Sequence, residues 1–307
     1  MKKVAIVGAA AVGDYIFKVN HLPEKGEIVA ITSEGAEKVP GGCAPNIACG
    51  IANLNQIQPV LYYPVGYDFE EWDVYSDWRN RGIECRLAYS KEHKCGCAWM
   101  YMQDDGTTMC FSYQGAADST KSNETEMDEE MVVISPLLRH YTYAFLEEAI
   151  KKQSQIFVTG IGEKKLIPYL GRIHTLLVNK CESEQLCKES GADNMISFSK
   201  KYPFLKIYVT NGGKGSDFYK GGKKQHIPLI TADQIEDYTG AGDAYTSGIV
   251  SAVAAGFNDI QAGYIGACAA SFCIQCMGGQ TYRSHWEQLI ERLDGQYPDW
   301  KEQKMET

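Results

Sequence analysis

The amino-acid sequence predicts an α/β fold in which a central, mostly parallel sheet is flanked by helices and accompanied by a small separate β sheet. Three observations carry this expectation. From residue 131 onward, strand-like and helix-like segments alternate (131–134, 143–151, 156–158, 165–174, 176–178, 207–210), the pattern of βαβ units. Residues 240–255 and 262–273 are rich in small side chains and read as two closely packed helices. Two β-rich patches, 14–32 and 96–113, stand outside the alternation and read as parts of one small sheet.

At the start, Val4, Ala5, Ile6 and Val7 form a β-branched run ending at Gly8, which suits the first buried strand of a parallel sheet. Lys2 and Lys3 before residues 4–13 imitate a signal peptide, but the segment lacks a leucine-rich core. A strand is therefore expected, with the mature chain starting at or near Met1. Residues 14–19 alternate imperfectly, Leu22, Pro23, Glu24, Lys25 and Gly26 make a turn, and residues 27–32 alternate again, so short strands and a hairpin follow. Within residues 45–54, Ile47, Ala48, Ile51 and Leu54 recur at helical spacing, which puts Gly41 and Gly42 on a loop feeding a helix. In the second β patch, Asp104, Asp105 and Gly106 are the expected turn. No repeat, low-complexity segment or linker splits the chain, so residues 1–307 read as one domain.

Composition excludes several classes. A chain of 307 residues can bury a sizeable core, and its 44% hydrophobic and 22% charged fractions are ordinary for a globular protein. No stretch approaches the roughly 20 apolar residues of a membrane helix. A formal charge of −9 argues against a general nucleic-acid binder, so any phosphate handled must be small and met locally. Eleven cysteines, an odd number without the spacing of a secreted disulfide scaffold, point to a reducing, cytoplasmic compartment. Cys273 with Cys276, and Cys95 with Cys97, read as packed thiols rather than a zinc site, which usually shows two well-spaced pairs.

The most informative stretch is Asp237, Tyr238, Thr239, Gly240, Ala241, Gly242, Asp243, leading into an apolar helix. Small residues at a helix start let backbone N–H groups approach an anion, and the helix dipole favours negative charge there. Asp243 just beyond those donors is placed to take the proton of an attacking hydroxyl. A tight helix start with an acidic cap is the plain alternative. Gly41, Gly42, Cys43, Ala44, Pro45, Asn46 would let backbone approach a polyol, with Asn46 offering a donor and an acceptor; alone, paired glycines before a helix are a common turn.

Together these stretches resemble the two signatures of the ribokinase-like (PfkB) family of carbohydrate and nucleoside kinases, with Tyr238 where the family has Thr. Asn179, Lys180, Cys181, Glu182 resembles the family's Asn-x-x-Glu motif near magnesium and phosphates, and Thr210, Asn211, Gly212, Gly213, Lys214, Gly215 its nucleotide loop. Asp14, followed by Leu22, Pro23, Gly26 and Glu27, matches the position that grips sugar hydroxyls. The five motifs stand in family order. Details around Gly41, the segment 113–117 and Gly278, Gly279, Gln280, Thr281 are most similar to the adenosine-kinase-like nucleoside kinase branch, although the Asn frequent in the family's last helix is replaced near Gly266 or Ala267.

The resemblance implies a ribokinase-like fold with a discontinuous β lid from about 14–40 and 96–116. It implies MgATP-dependent phosphorylation of a sugar or nucleoside, with Asp243 as base and Gly240, Ala241 and Gly242 around the transferring phosphoryl group. Asp14, Gly41, Gly42 and Asn46 would bind the acceptor, and Asn179, Thr210, Gly212 and Gly215 the nucleotide. Glu182 would meet magnesium through water, Asp237 a potassium ion, and a homodimer would form through the lid. Two other readings compete. One is a non-catalytic sensor on the same fold. The other is an NAD enzyme, because Gly8, Ala9, Ala10, Ala11, Val12, Gly13 mimics a dinucleotide fingerprint; Leu22 and Pro23 would end the helix that this reading needs.

Overall fold

In the computed structural model of the chain, residues 1–104, 107–119, 126–136, 138–160 and 164–305 are described. The first half contains β1 (Lys3–Gly8), β2 (Ala11–Lys18), β3 (Glu37–Pro40), α1 (Cys43–Leu54), β4 (Gln58–Val65), α2 (Tyr75–Asn80), β5 (Glu84–Tyr89), β6 (Gly96–Met102), β7 (Thr108–Tyr113) and α3 (Ala116–Ser119). The second contains β8 (Met131–Ser135), α4 (His140–Lys151), β9 (Gln155–Thr159), β10 (Thr175–Asn179), α5 (Lys180–Ser190), α6 (Met195–Lys201) and β11 (Lys206–Thr210). It ends with β12 (Ser216–Lys220), β13 (Lys223–Ile227), α7 (Ala241–Ala254), α8 (Asp259–Cys273) and α9 (Trp286–Gln296).

Among the described residues, nine strands form one sheet in the order β13-β12-β11-β10-β9-β8-β1-β4-β5. Strands β11 to β13 pair antiparallel, and the other neighbours run parallel. The run Val4, Ala5, Ile6, Val7 lies in β1 between β4 and β8, all four residues fully buried. Burying one such branched side chain contributes about 1.5–3 kcal/mol, so the sheet centre is where a four-residue apolar run gains most. Alternation sorts its side chains into two cores. Val4 and Ile6 join α1, α7 and α8 on one face, while Ala5 and Val7 join α4, α5 and α6 on the other. Helices α7 and α8 approach closely, since a Cβ on Gly248 would stand 2.7 Å from the Gly266 Cα.

A second sheet has the order β3-β2-β6-β7, with β2 antiparallel to β3, parallel to β6, and β6 antiparallel to β7. This is the small sheet expected from the two β-rich patches. Residues 27–32 do not form the expected strand: Ile31 makes one isolated bridge with Val19, and Ile28 is 98% exposed. Beyond that bridge and the bond from Thr32 N–H to the Lys18 carbonyl (2.9 Å), the segment has no strand pairing, and β3 takes the place beside residues 13–16 of β2. The expected turn at Asp104, Asp105 and Gly106 lies partly outside the described residues. The helix expected over residues 165–174 is a 3-10 helix, Lys164–Arg172, with Pro168 inside, where a missing N–H disfavours α geometry.

The segment after Gly8 is β2, not a helix, and this removes the dinucleotide-binding reading. All eleven cysteines are free thiols, and among the described residues no group of three or more His, Cys, Asp or Glu is placed to hold a metal ion. No helix among them is long and apolar enough to cross a membrane.

Candidate active site

The carboxyl ends of the parallel strands converge on one cleft. Ser135 ends β8, Thr159 ends β9, Asn179 ends β10 and Thr210 ends β11, and all four line a cavity of 210 Å3 together with Cys43, Glu182, Gly242 and Asp243. Open parallel sheets place their ligands at this edge. A second cavity of 290 Å3 adjoins it, lined by Thr210, Gly212, Gly215, Leu229, Ile235 and Ala270 among others. Thr210, Gly242 and Tyr245 line both, so the two form one continuous site.

Helix α7 starts this site. Gly240 caps it at φ 80°, and a Cβ there would run into the Gly279 Cα, so both the left-handed backbone and the close approach require glycine. Of the first amides, Ala241 N–H turns back to the Tyr238 carbonyl (3.2 Å), while Gly242 has open space where a Cβ would stand. Thr246 Oγ1 donates to the Gly242 carbonyl (2.9 Å) and pairs with Thr159 Oγ1 (3.2 Å), which braces this turn against β9.

Asp243 follows in the same turn. Its Oδ2 accepts from Asn46 Nδ2 at 2.8 Å, and the Cys43 thiol is also hydrogen-bonded to its carboxylate. The dense surroundings remove water and push its carboxyl up to about 7, helped by the charges of Asp14 and Glu182, while the bonds from Asn46 and Cys43 oppose the rise. A carboxylate that ionises near neutrality and stands at an anion-favouring helix start can accept a proton there.

Asp14 on β2 is 8% exposed, and burial followed by the charge of Asp237 pushes it up to about 6. Gly41 has no Cβ for a direct reason: it would collide with the Asp14 carboxylate. Asn46 is buried, with Nδ2 on Asp243 and Oδ1 accepting from Gln280 Nε2 at 3.0 Å.

Asn179 and Glu182 form a reciprocal capping box on α5: Glu182 N donates to Asn179 Oδ1 (2.9 Å), and Asn179 N donates to Glu182 Oε2 (2.8 Å). Both still line the cleft, where burial raises the Glu182 carboxyl. Asp237 lies outside both cavities and fastens two loops, accepting from Thr239 N (2.9 Å) and Gly278 N (2.8 Å). The structure thus unites Asp243, Gly242, Asn179, Glu182, Thr210, Gly212 and Gly215 in one site, with Asn46 bonded to Asp243, Gly41 linked to Asn46 through Gln280, and Asp14 against Gly41. Sequence reasoning missed Cys43 and Gln280. The Gly278, Gly279, Gln280 segment stood out only by likeness, because a buried amide leaves no periodic mark.

Fold and site together define a phosphotransferase that acts on the hydroxyl of a sugar or nucleoside. Residues 1–286 match the model of the pfkB family carbohydrate kinases, and the chain belongs to that family. It is 32% identical over 304 residues to a nucleoside kinase of Methanocaldococcus jannaschii, covering 96% of this chain and 97% of that protein. The crystal structure of M. jannaschii nucleoside kinase superposes with a TM-score of 0.80 at 30% identity, over 96% of this chain and 99% of the other. The Burkholderia thailandensis nucleoside kinase in complex with inosine shares the fold at a TM-score of 0.83 and 17% identity, over 96% and 98% of the two chains. A Cryptococcus neoformans ribokinase in complex with ADP does so at 0.81 and 21%, over 95% and 100%.

Proposed function

We propose that this enzyme transfers the γ-phosphate of ATP in line to a hydroxyl of a ribose-bearing nucleoside or a sugar, with Asp243 taking the hydroxyl proton. The observation that carries the reading is the place of Asp243: it lies in the first turn of α7, in the cleft, with its carboxyl poised near neutrality. The oxygen that loses its proton forms the new bond to phosphorus as the bond to the ADP oxygen breaks.

The remaining parts follow from placement. The apolar cavity with Thr210, Gly212 and Gly215 suits the nucleotide, and the phosphates would lie between it and the α7 start. Asn179 and Glu182 would hold magnesium through water, one carboxylate being enough for an ion bound mostly by water and phosphate oxygens; bound magnesium would neutralise charge on the transferring group. A potassium ion at Asp237 would share a carboxylate that already accepts two amide hydrogens and would brace the same loop. Asp14, Gly41, Gly42 and Asn46 would receive the acceptor.

The four-stranded sheet serves as lid, so that residues 1–307 act as one kinase domain whose lid spans about 14–40 and 96–116; closing it excludes water, a competing acceptor. One face of that sheet carries two ring groups, Tyr15 with Trp99 and Phe17 with Tyr101 and Phe111, with Phe111 56% exposed, which supports a homodimer formed through the lid. Eleven free thiols fit a cytoplasmic setting. A screen of nucleosides and sugars with MgATP, reading ADP formation, tests the reading. Turnover of a nucleoside or sugar is the expected result, and thermal stabilisation by such a ligand with no ADP formed would favour a sensor instead.

A further inference from the structure

Gln280 lies 2% exposed in the loop after α8, and both polar atoms of its side chain and its backbone carbonyl are engaged. Its Nε2 donates to the Gly41 carbonyl (2.8 Å) and to Asn46 Oδ1 (3.0 Å). Its Oε1 accepts from Trp78 Nε1 (2.9 Å) and from Cys49 Sγ (3.6 Å). Its backbone carbonyl receives Arg81 Nη2 (2.6 Å) and Arg283 Nη1 (2.8 Å). Asp77 ties those guanidinium groups together through Arg81 Nε (2.8 Å) and Arg283 Nη2 (3.1 Å). The backbone is therefore clamped and the side chain has one allowed polarity.

That polarity propagates. An indole N–H is a donor only, so Trp78 holds Gln280 with its oxygen toward α2 and its NH2 toward Gly41 and Asn46. Asn46 must then present Oδ1 to Gln280, which leaves Nδ2 for Asp243 at 2.8 Å. With the Asn46 amide reversed, its oxygen would face the lone pairs of the Asp243 carboxylate and its NH2 would meet the Gln280 NH2, donor against donor. We propose that Gln280 is a positioning residue which, through Asn46, aims a hydrogen-bond donor at the reacting carboxylate. The inference rests on Asp243 as the base and adds to it a residue that touches neither substrate nor phosphate.

The groups facing Asp243 make the donor matter. Asp14 from β2 and Glu182 from α5 act on it as like charges, Cys273 of α8 and Tyr282 lie within its field, and Cys43 of α1 is the second hydrogen-bonding partner. Against two neighbouring carboxylates, Asn46 and Cys43 are what favours the ionised form.

The test is the pH profile of kcat/KM with MgATP and the best acceptor. Gln280→Glu keeps the side-chain volume but offers Asn46 only acceptors, drawing its N–H away from Asp243. The acid limb should move to higher pH by about one unit, an about tenfold loss on the acid side, with the alkaline plateau within a few-fold of the parent. Gln280→Met and Asn46→Ala should shift the limb in the same direction, and their combination should shift it no further than Asn46→Ala alone, because Gln280 acts through Asn46. A lowered plateau or melting temperature with an unmoved limb, or shifts that add, would overturn the proposal. Gln280→Met strips partners from Trp78, Gly41 and Asn46; should it fail to fold, the Asn46 side-chain amide of the unmodified protein gives a direct reading. Its two N–H signals should move with the midpoint of the acid limb, and signals that stay fixed across that pH range would contradict the inference. Asp243→Asn runs alongside: normal turnover there would remove the base itself, whereas an inactive Asp243→Asn with an unmoved limb in Gln280→Glu removes only the role of Gln280.

Discussion

Asn46 Nδ2 stands 2.8 Å from Asp243 Oδ2, joining two residues 197 positions apart. One sits in the helix after the paired-glycine loop, the other in the first turn of α7. In the proposed function this bond joins the acceptor side of the site to its phosphoryl side, so what disturbs one reaches the other.

The first prediction is a pH dependence with a definite sign. A base works only when ionised, and Asp243 in the folded protein loses its proton near 7, so kcat/KM should fall about tenfold per pH unit below that value and level off above it. Asp14, raised to about 6, adds a second loss, and the limb should steepen below that pH. A rate flat from pH 5 to 8 would contradict both assignments.

The glycines at the start of α7 should separate stability from activity. Gly242→Ala places a methyl group where nothing lies within 4 Å, so the protein should melt as the parent does, while the proposed place of the phosphoryl group in that space predicts a kcat lower by tenfold or more. Gly240→Ala meets the Gly279 backbone from a φ of 80° and should lower stability by about 1–3 kcal/mol, visible as a lower melting temperature. Equal melting losses in the two would refute the contrast.

Glu182 has a structural task and a proposed chemical one, and Glu182→Gln divides them. A Gln at this position still closes the capping box, so α5 should stay intact by thermal melting. Removing the charge should raise the magnesium concentration needed for half-maximal rate several-fold. An unchanged magnesium requirement would leave Glu182 a cap and nothing more.

How much of this was legible in the sequence depends on how local the signal is. The buried run of β1, the helical spacing of Ile47, Ala48, Ile51 and Leu54, and the small-residue helices α7 and α8 all declare themselves within a few residues, and each forms as expected. Strand β4 did not, because Pro59 and Pro64 lie inside it and proline reads as a breaker. Residues 27–32 misled for the opposite reason: the local alternation is right, but only Ile31 and Thr32 reach a neighbour, the end of β2, and one bridge does not make a strand. In the site, Asp243 was legible through its glycine-rich setting, and Asp14 through the resemblance carried by Leu22, Pro23, Gly26 and Glu27 after it. Gln280 was not, since its meaning comes from Trp78, Gly41 and Asn46, more than 190 positions away in each case.

Asp14 also predicts acceptor choice. A buried carboxylate can accept from both hydroxyls of a vicinal diol, and an analogue lacking one leaves it desolvated and underused. Sites built on such bonds discriminate by up to roughly 10⁴ to 10⁵. Adenosine should therefore exceed 2′-deoxyadenosine in kcat/KM by a large factor, or ribose its deoxy analogue, and Asp14→Ala should erase most of the difference. Similar kcat/KM for both members of the pair in the parent enzyme would contradict this role.

The measurement that bears most directly on the account is kcat of Asp243→Asn with MgATP and the best acceptor, with nucleoside and nucleotide affinities measured on the same protein. The amide keeps the size and a hydrogen-bonding oxygen but cannot take a proton. Retained binding with kcat lower by about 10² to 10⁴ is the predicted result. Near-normal turnover would contradict the assignment of Asp243 as the base.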